Sequence, residues 1–228
     1  MSETFAEYLA PTPMIDSDHP AVAAYARERA AGAADAVQAA VRLFYAVRDD
    51  LRYDPYGVRV DMDSLRASRA LAARRGWCVS KAALLVACCR SLGIPARMGF
   101  ADVRNHLSTA RMREAMKTDV FYWHGYASIL IGERWVKATP AFNRELCEKF
   151  GLLPLEWDGR SDSLYHAFDR EGRRHMEYLR EHGEFADIPL DRMQETWQRE
   201  YAQLTASWRE GDFDADVDAE TLGAGGPS

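Results

Sequence analysis

A chain of 228 residues and 25.8 kDa fits one large domain or one domain with appendages, and its 47% apolar content is ample for a core. A net charge of -6 and a pI near 5.6 argue against a general nucleic-acid binder, which needs a basic surface to neutralise phosphates. No stretch approaches the roughly 20 apolar residues of a membrane span, and Met1-Ser2-Glu3-Thr4 does not read as a signal peptide, so a cytoplasmic protein with no membrane partner is expected.

Asp16-Ser17-Asp18-His19-Pro20 combines capping residues with a proline suited to a first helical turn, and predicts a helix to about Arg29. A second helix is predicted from about Asp35 to Asp50, with Val37, Val41, Phe44, Tyr45 and Val47 at helical spacing. Tyr53-Asp54-Pro55-Tyr56-Gly57 ends it. Next, Gly76-Trp77-Cys78 runs into an apolar helix that Gly93-Ile94-Pro95 stops after Leu92, and a short strand follows over Ala96 to Phe100. A polar, helix-prone segment from Asn105 to Lys117 is placed to act as a flap. Phe121 to Ile131 and Arg134 to Thr139 read as a hairpin about Gly132-Glu133. Beyond it the reading gives a helical turn over Arg144 to Phe150, a helix over Asp169 to Glu181 closed by Gly183, and a last helix over Asp191 to Trp208. One domain is therefore expected over 1–208, followed by a disordered acidic tail over 209–228.

None of the four cysteines is spaced as CxxC, so neither a zinc site nor a disulfide framework is expected, and no metal or organic cofactor is implied. Cys88, Cys89 and Cys147 read as packing residues. Cys78 differs because it stands where a helix begins, and the free N–H groups there favour thiolate over thiol.

His124 lies in the strand motif Trp123-His124-Gly125-Tyr126, so a thiol and an imidazole are available on two elements, the minimum for nucleophilic acyl transfer. In a symmetric hairpin Ile131 faces Arg134, Leu130 faces Trp135 and Tyr126 faces Thr139, which makes Thr139 the diagonal neighbour of His124. A hydroxyl there can orient the ring. Asn143, or Asp119, Asp158 or Asp162 reaching in from loops, could do the same, and the sequence does not choose among them. Trp77, Tyr53 and Trp123 are candidates for the wall of a substrate cleft, while His106, His166, His175 and His182 read as surface residues.

Gly76-Trp77-Cys78, then Leu92-Gly93-Ile94-Pro95-Ala96-Arg97, then Trp123-His124-Gly125-Tyr126-Ala127 and Gly132 to Pro140, in that order, resemble the core of the transglutaminase-like superfamily over about residues 53–143. The resemblance implies an α+β, papain-like fold: a nucleophile helix packed on an antiparallel β-sheet, here with extra N- and C-terminal helices in what looks like a small bacterial branch. It implies Cys78 as nucleophile and His124 as general base. The aspartate of the motif falls on Thr139. A cysteine hydrolase, peptidase or acyltransferase acting on a peptide, protein or acyl-amide substrate is thus expected. The rival expectations are an inactive scaffold that binds a peptide or protein, and an amide-forming or cyclising enzyme.

Overall fold

The computed structural model describes residues 5–105, 108–164, 176–202, 204 and 211–223. After a short 3-10 turn at Phe5–Tyr8 comes α1 (Pro20–Arg29), whose cap is His19 Nδ1 accepting from the Ala21 N–H at 3.3 Å. Asp35 caps α2 (Ala36–Asp50) by accepting from the Gln38 N–H at 2.8 Å. Each side chain satisfies one of the donors a helix start leaves open. The two-residue strand β1 (Arg52–Tyr53) pairs in parallel with β2 (Arg75–Gly76), and between them runs α3 (Ala67–Ala73), a helix the sequence reading did not anticipate.

The next element is α4 (Cys78–Ser91), buried at every position from Cys78 to Arg90. A helix apolar on all sides must be surrounded, and this one lies against the central strands of the sheet on one side and α1, α2 and α3 on the other. Its start is fixed by Ser80, whose Oγ accepts from the Trp77 N–H at 3.1 Å. Buried cations tie it to its surroundings: Lys81 Nζ donates to the carbonyls of Arg48 and Leu51 at 2.9 and 2.7 Å, and Arg90 donates to those of Ala10, Ala96 and Ala186. Burial pulls the Lys81 amine down to about 7.

The sheet contains β3 (Ala96–Asn105), then, beyond α5 (Ala110–Met116), β4 (Val120–Ile131) and β5 (Arg134–Ala138). Past α6 (Arg144–Lys149) it is completed by β6 (Met176–Phe185), in the order β5-β4-β3-β6 with antiparallel neighbours. The chain closes with α7 (Leu190–Glu200) and α8 (Phe213–Gly223). This is the α+β arrangement expected, with the helix that begins at Cys78 on an antiparallel sheet.

Three expectations are corrected. The helix expected over Asp169 to Glu181 is a strand from Met176 onward, its earlier part lying outside the described residues; the open edge of β3 offers ladder partners from Met98 to Asn105 that a helix could not use. The last helix ends at Glu200 rather than Trp208. Residues 213–223 of the expected acidic tail are α8, and its buried Phe213 meets Tyr53 and Tyr56 edge-on at 5.8 and 5.3 Å. Its acids find cations: Asp214 pairs with Arg52 at 2.8 Å and Asp216 with Arg111 at 2.6 Å. Both acids also sit in the first turn, at the positive end of the helix.

Candidate active site

Cys78 is the first residue of α4, and the backbone N–H groups of Gly125, Val79 and Cys78 itself favour its thiolate. The contact with β4 requires glycine at 125, because a Cβ there would stand 2.9 Å from Val79 Cα. The sequence leads one to expect a lowered thiol pKa. In the structure burial dominates, the residue being 5% exposed, and pushes the thiol up to about 12 although the three N–H groups pull the other way. The resting group is therefore a protonated thiol.

His124 is aimed by an irregularity in its strand. Ala101 pairs with His124 but Val103 pairs with Phe121, so two residues of β3 span three of β4, and within this bulge Trp123 takes the left-handed conformation with φ 62°. Asp102 holds that turn: its Oδ1 accepts from the Trp123 N–H at 3.0 Å and lies 2.7 Å from His182 Nε2. The His182 ring stacks on Trp123 with centroids 4.0 Å apart and planes 8° apart. His182, expected at the surface, thus turns its side chain inward with 7% of it exposed, and the sequence reading assigns Asp102 no role. The available signal was an acid inside the apolar run Met98-Gly99-Phe100-Ala101-Asp102-Val103.

Cys78 and His124, carried by α4 and β4, line one small cavity of about 30 Å³. Tyr53 and Trp77 line it too. Trp123 does not: its ring is committed to His182 and Phe100, a correction that follows from the bulge. The outer wall comes from α7, from Tyr201 just after it and from α5. Trp197 of α7 packs edge-on against Trp77 at 5.6 Å and against Tyr201 at 4.9 Å. Tyr201 is fixed in turn, its hydroxyl donating to the Val120 carbonyl at 2.9 Å and accepting from the Tyr122 N–H at 3.0 Å. Met112 and Met116 of α5, within the segment read as a flap, also border the cavity.

The hairpin register runs as expected from Ile131↔Arg134 to Ala127↔Ala138. It then stops, because the Thr139 N–H donates to the Ser163 carbonyl at 2.9 Å and the Ser163 N–H to the Lys137 carbonyl at 2.9 Å. Thr139 Oγ1 is buried with no hydrogen-bond partner among the described residues, and Thr139 is not part of the cavity wall. The other candidate orienters are engaged elsewhere. Asn143 Oδ1 accepts from the Tyr53 N–H at 3.0 Å, Asp119 pairs with Arg104 at 3.1 Å, Asp158 accepts from the N–H groups of Arg160 and Ser161, and Asp162 accepts from the Lys137 N–H. Among the described residues no group of three or more His, Cys, Asp or Glu is placed to hold a metal, and no helix is long and apolar enough to cross a membrane.

A family model described as the transglutaminase-like superfamily matches residues 23–140, just over half of the chain. Among solved structures, a "Putative Cysteine Protease" from Cytophaga hutchinsonii is similar at 14% identity with a TM-score of 0.47, over 81% of this chain and 55% of that one. A "Putative Protease" from Parabacteroides distasonis is similar at 11% identity with a TM-score of 0.37, over 55% of this chain and 25% of that one. The chain thus spans about half the length of the first and a quarter of the second. No curated protein matches.

Proposed function

We propose that this chain, which belongs to the transglutaminase-like superfamily, is a cysteine-dependent enzyme that cleaves or transfers the acyl group of an amide or thioester. The observation that carries the reading is the shared cavity: a thiol at a helix start and an imidazole on the facing strand border the same small space. In the reaction the Cys78 sulfur, its proton passed to His124, attacks the carbonyl carbon. The C–S bond forms, the oxyanion is held by the Cys78 backbone N–H, and the C–N or C–S bond to the leaving group breaks as His124 returns the proton to it. Water or an amine, deprotonated by His124, then attacks the thioester and releases Cys78.

A cavity of about 30 Å³ has room for a water molecule or two but not for an amide with its flanking atoms. Substrate entry therefore displaces the Trp197 and Tyr201 wall, and the same opening lets water and substrate dipoles relieve the burial that keeps the thiol protonated. A second reading, an inactive scaffold, is favoured by the threonine at 139 and by the raised thiol pKa.

Intact-mass analysis after incubation with a small acyl thioester separates the two. The enzyme reading expects an acyl adduct on Cys78 that is absent in Cys78→Ala and that both forms and decays more slowly in His124→Ala, because His124 takes the thiol proton and later activates the acceptor. Finding neither an adduct on Cys78 nor release of free thiol from the thioester, or finding that the adduct forms and decays at unchanged rates without His124, would sink the enzyme reading.

A further inference from the structure

A second, larger opening adjoins the thiol cavity. It is a groove of about 450 Å³, within the size range of ligand sites. Small residues, among them Ala70, Ala72 and Ala73, form part of its lining. Val58 and Trp77 belong to the walls of both spaces, so the groove leads to the indole that stands directly before Cys78.

The groove is charged against the trend of the protein. The chain carries a net -6, yet Arg59, Arg69 and Arg75 face this opening with Asp54 as the one carboxylate on its wall. Arg75 is neutralised by Asp54 at 3.1 Å, and Arg69 is shared with the exposed Asp63 at 3.3 Å. Arg59 makes no ion pair with an acid among the described residues. Guanidinium groups bind carboxylates through paired N–H donors, and the exposed Arg69–Asp63 pair is of the weak kind that an incoming acid can exchange with at little cost.

We infer that this groove binds an acidic segment of a peptide or protein substrate, with Arg59 and Arg69 receiving its carboxylates while the chain continues past Trp77 toward Cys78. The assignment rests on the cysteine-enzyme reading for its direction, since the thiol defines the end of the groove at which the reacting bond lies. The alanines in the lining leave space for a backbone, and the arginines supply selection. In an acidic protein a local positive field also steers such a segment toward the site and away from the rest of the surface.

Two fluorescein-labelled hexapeptides, identical except that one carries two glutamates where the other carries two glutamines, are titrated by anisotropy with the full-length Cys78→Ala chain at low salt. The glutamate peptide is expected to bind about fivefold more tightly or better, as two exposed arginine–carboxylate contacts allow. That preference should disappear in the Arg59→Gln/Arg69→Gln double variant, survive in part in Arg59→Lys, and weaken as salt rises. Equal binding of the two peptides, no binding of either, or a glutamate preference that persists in the double variant would overturn the assignment. Because Cys78→Ala cannot form a thioester, this outcome is independent of turnover. An acyl adduct on Cys78 together with no glutamate preference would remove the groove assignment and leave the enzyme reading standing.

Discussion

The contact between β4 and the first turn of α4 makes Gly125→Ala the sharpest perturbation of the site. The added methyl would lie 2.9 Å from Val79 Cα and 3.0 Å from Val79 Cγ2. Carbon atoms pack at about 3.5–4.0 Å, so the start of α4 must retreat by about half an ångström or more. It has nowhere easy to go, since α1, α2 and α3 cover its far side. Overpacking of this kind costs about 1–3 kcal/mol, which for a chain of this length lowers the melting temperature by about 4–8 °C at the middle of that range. The same displacement moves the Cys78 sulfur away from the Gly125 N–H, one of the groups that pull the thiol pKa down. Calorimetry and the iodoacetamide labelling rate of Cys78 should therefore fall together. Gly57→Ala is the control, because no atom lies within 4 Å of the methyl it would add. A Gly125→Ala melting temperature within about 1 °C of the Gly57→Ala value would refute the packing argument.

Since burial holds the Cys78 thiol at about 12, its alkylation rate should climb about tenfold per unit from pH 7 to 10 without levelling; a plateau near neutral pH would instead reveal a preformed thiolate–imidazolium pair. The folded pKa values of Cys78 and Cys89 are both raised to about 12, above the unfolded value of about 8.5. Their contribution to stability is then complete below about pH 8.5 and is lost as pH rises toward 12, on the order of 2 kcal/mol per thiol by pH 10. Urea titrations at pH 8 and 10 measure that loss, and equal midpoints would contradict it. For Thr139→Val, which removes a buried hydroxyl that has no partner among the described residues, stability should rise by about 1 kcal/mol; a loss measured by urea unfolding would mean that the hydroxyl is satisfied. Trp197→Ala takes away the ring that meets Trp77 and Tyr201 over the cavity. If burial of Cys78 relaxes by one pKa unit, labelling at pH 8 should quicken about tenfold, and an unchanged rate would show that α7 does not limit access.

Much of the local structure is written in the chain. Proline and acid caps set the starts of α1 and α2, Gly93 and Pro95 end α4, and Gly132-Glu133 sets the hairpin register through Ala127↔Ala138, because each depends on residues only a few positions apart. The order of the Cys78 and His124 motifs carries the family in the same way.

Tertiary structure decided what depends on distant partners. Met176 to Glu181 reads as the end of a helix by local preference and belongs to a strand because β3 has an edge to fill. The aspartates at 214 and 216 look like a solvated tail until Arg52 and Arg111, more than 100 residues away in sequence, are brought beside them. A helix start favours thiolate, yet the apolar ring of Trp77, Trp197 and Tyr201 outweighs those few N–H dipoles and raises the Cys78 pKa. Asp102 and His182 meet across two strands to hold the bulge before His124. Sequence alone thus named the thiol and the imidazole, which are local chemistry. The protonation of the thiol was set by burial and the aim of the imidazole by contacts from β3 and β6, which exist only once the chain has closed on itself.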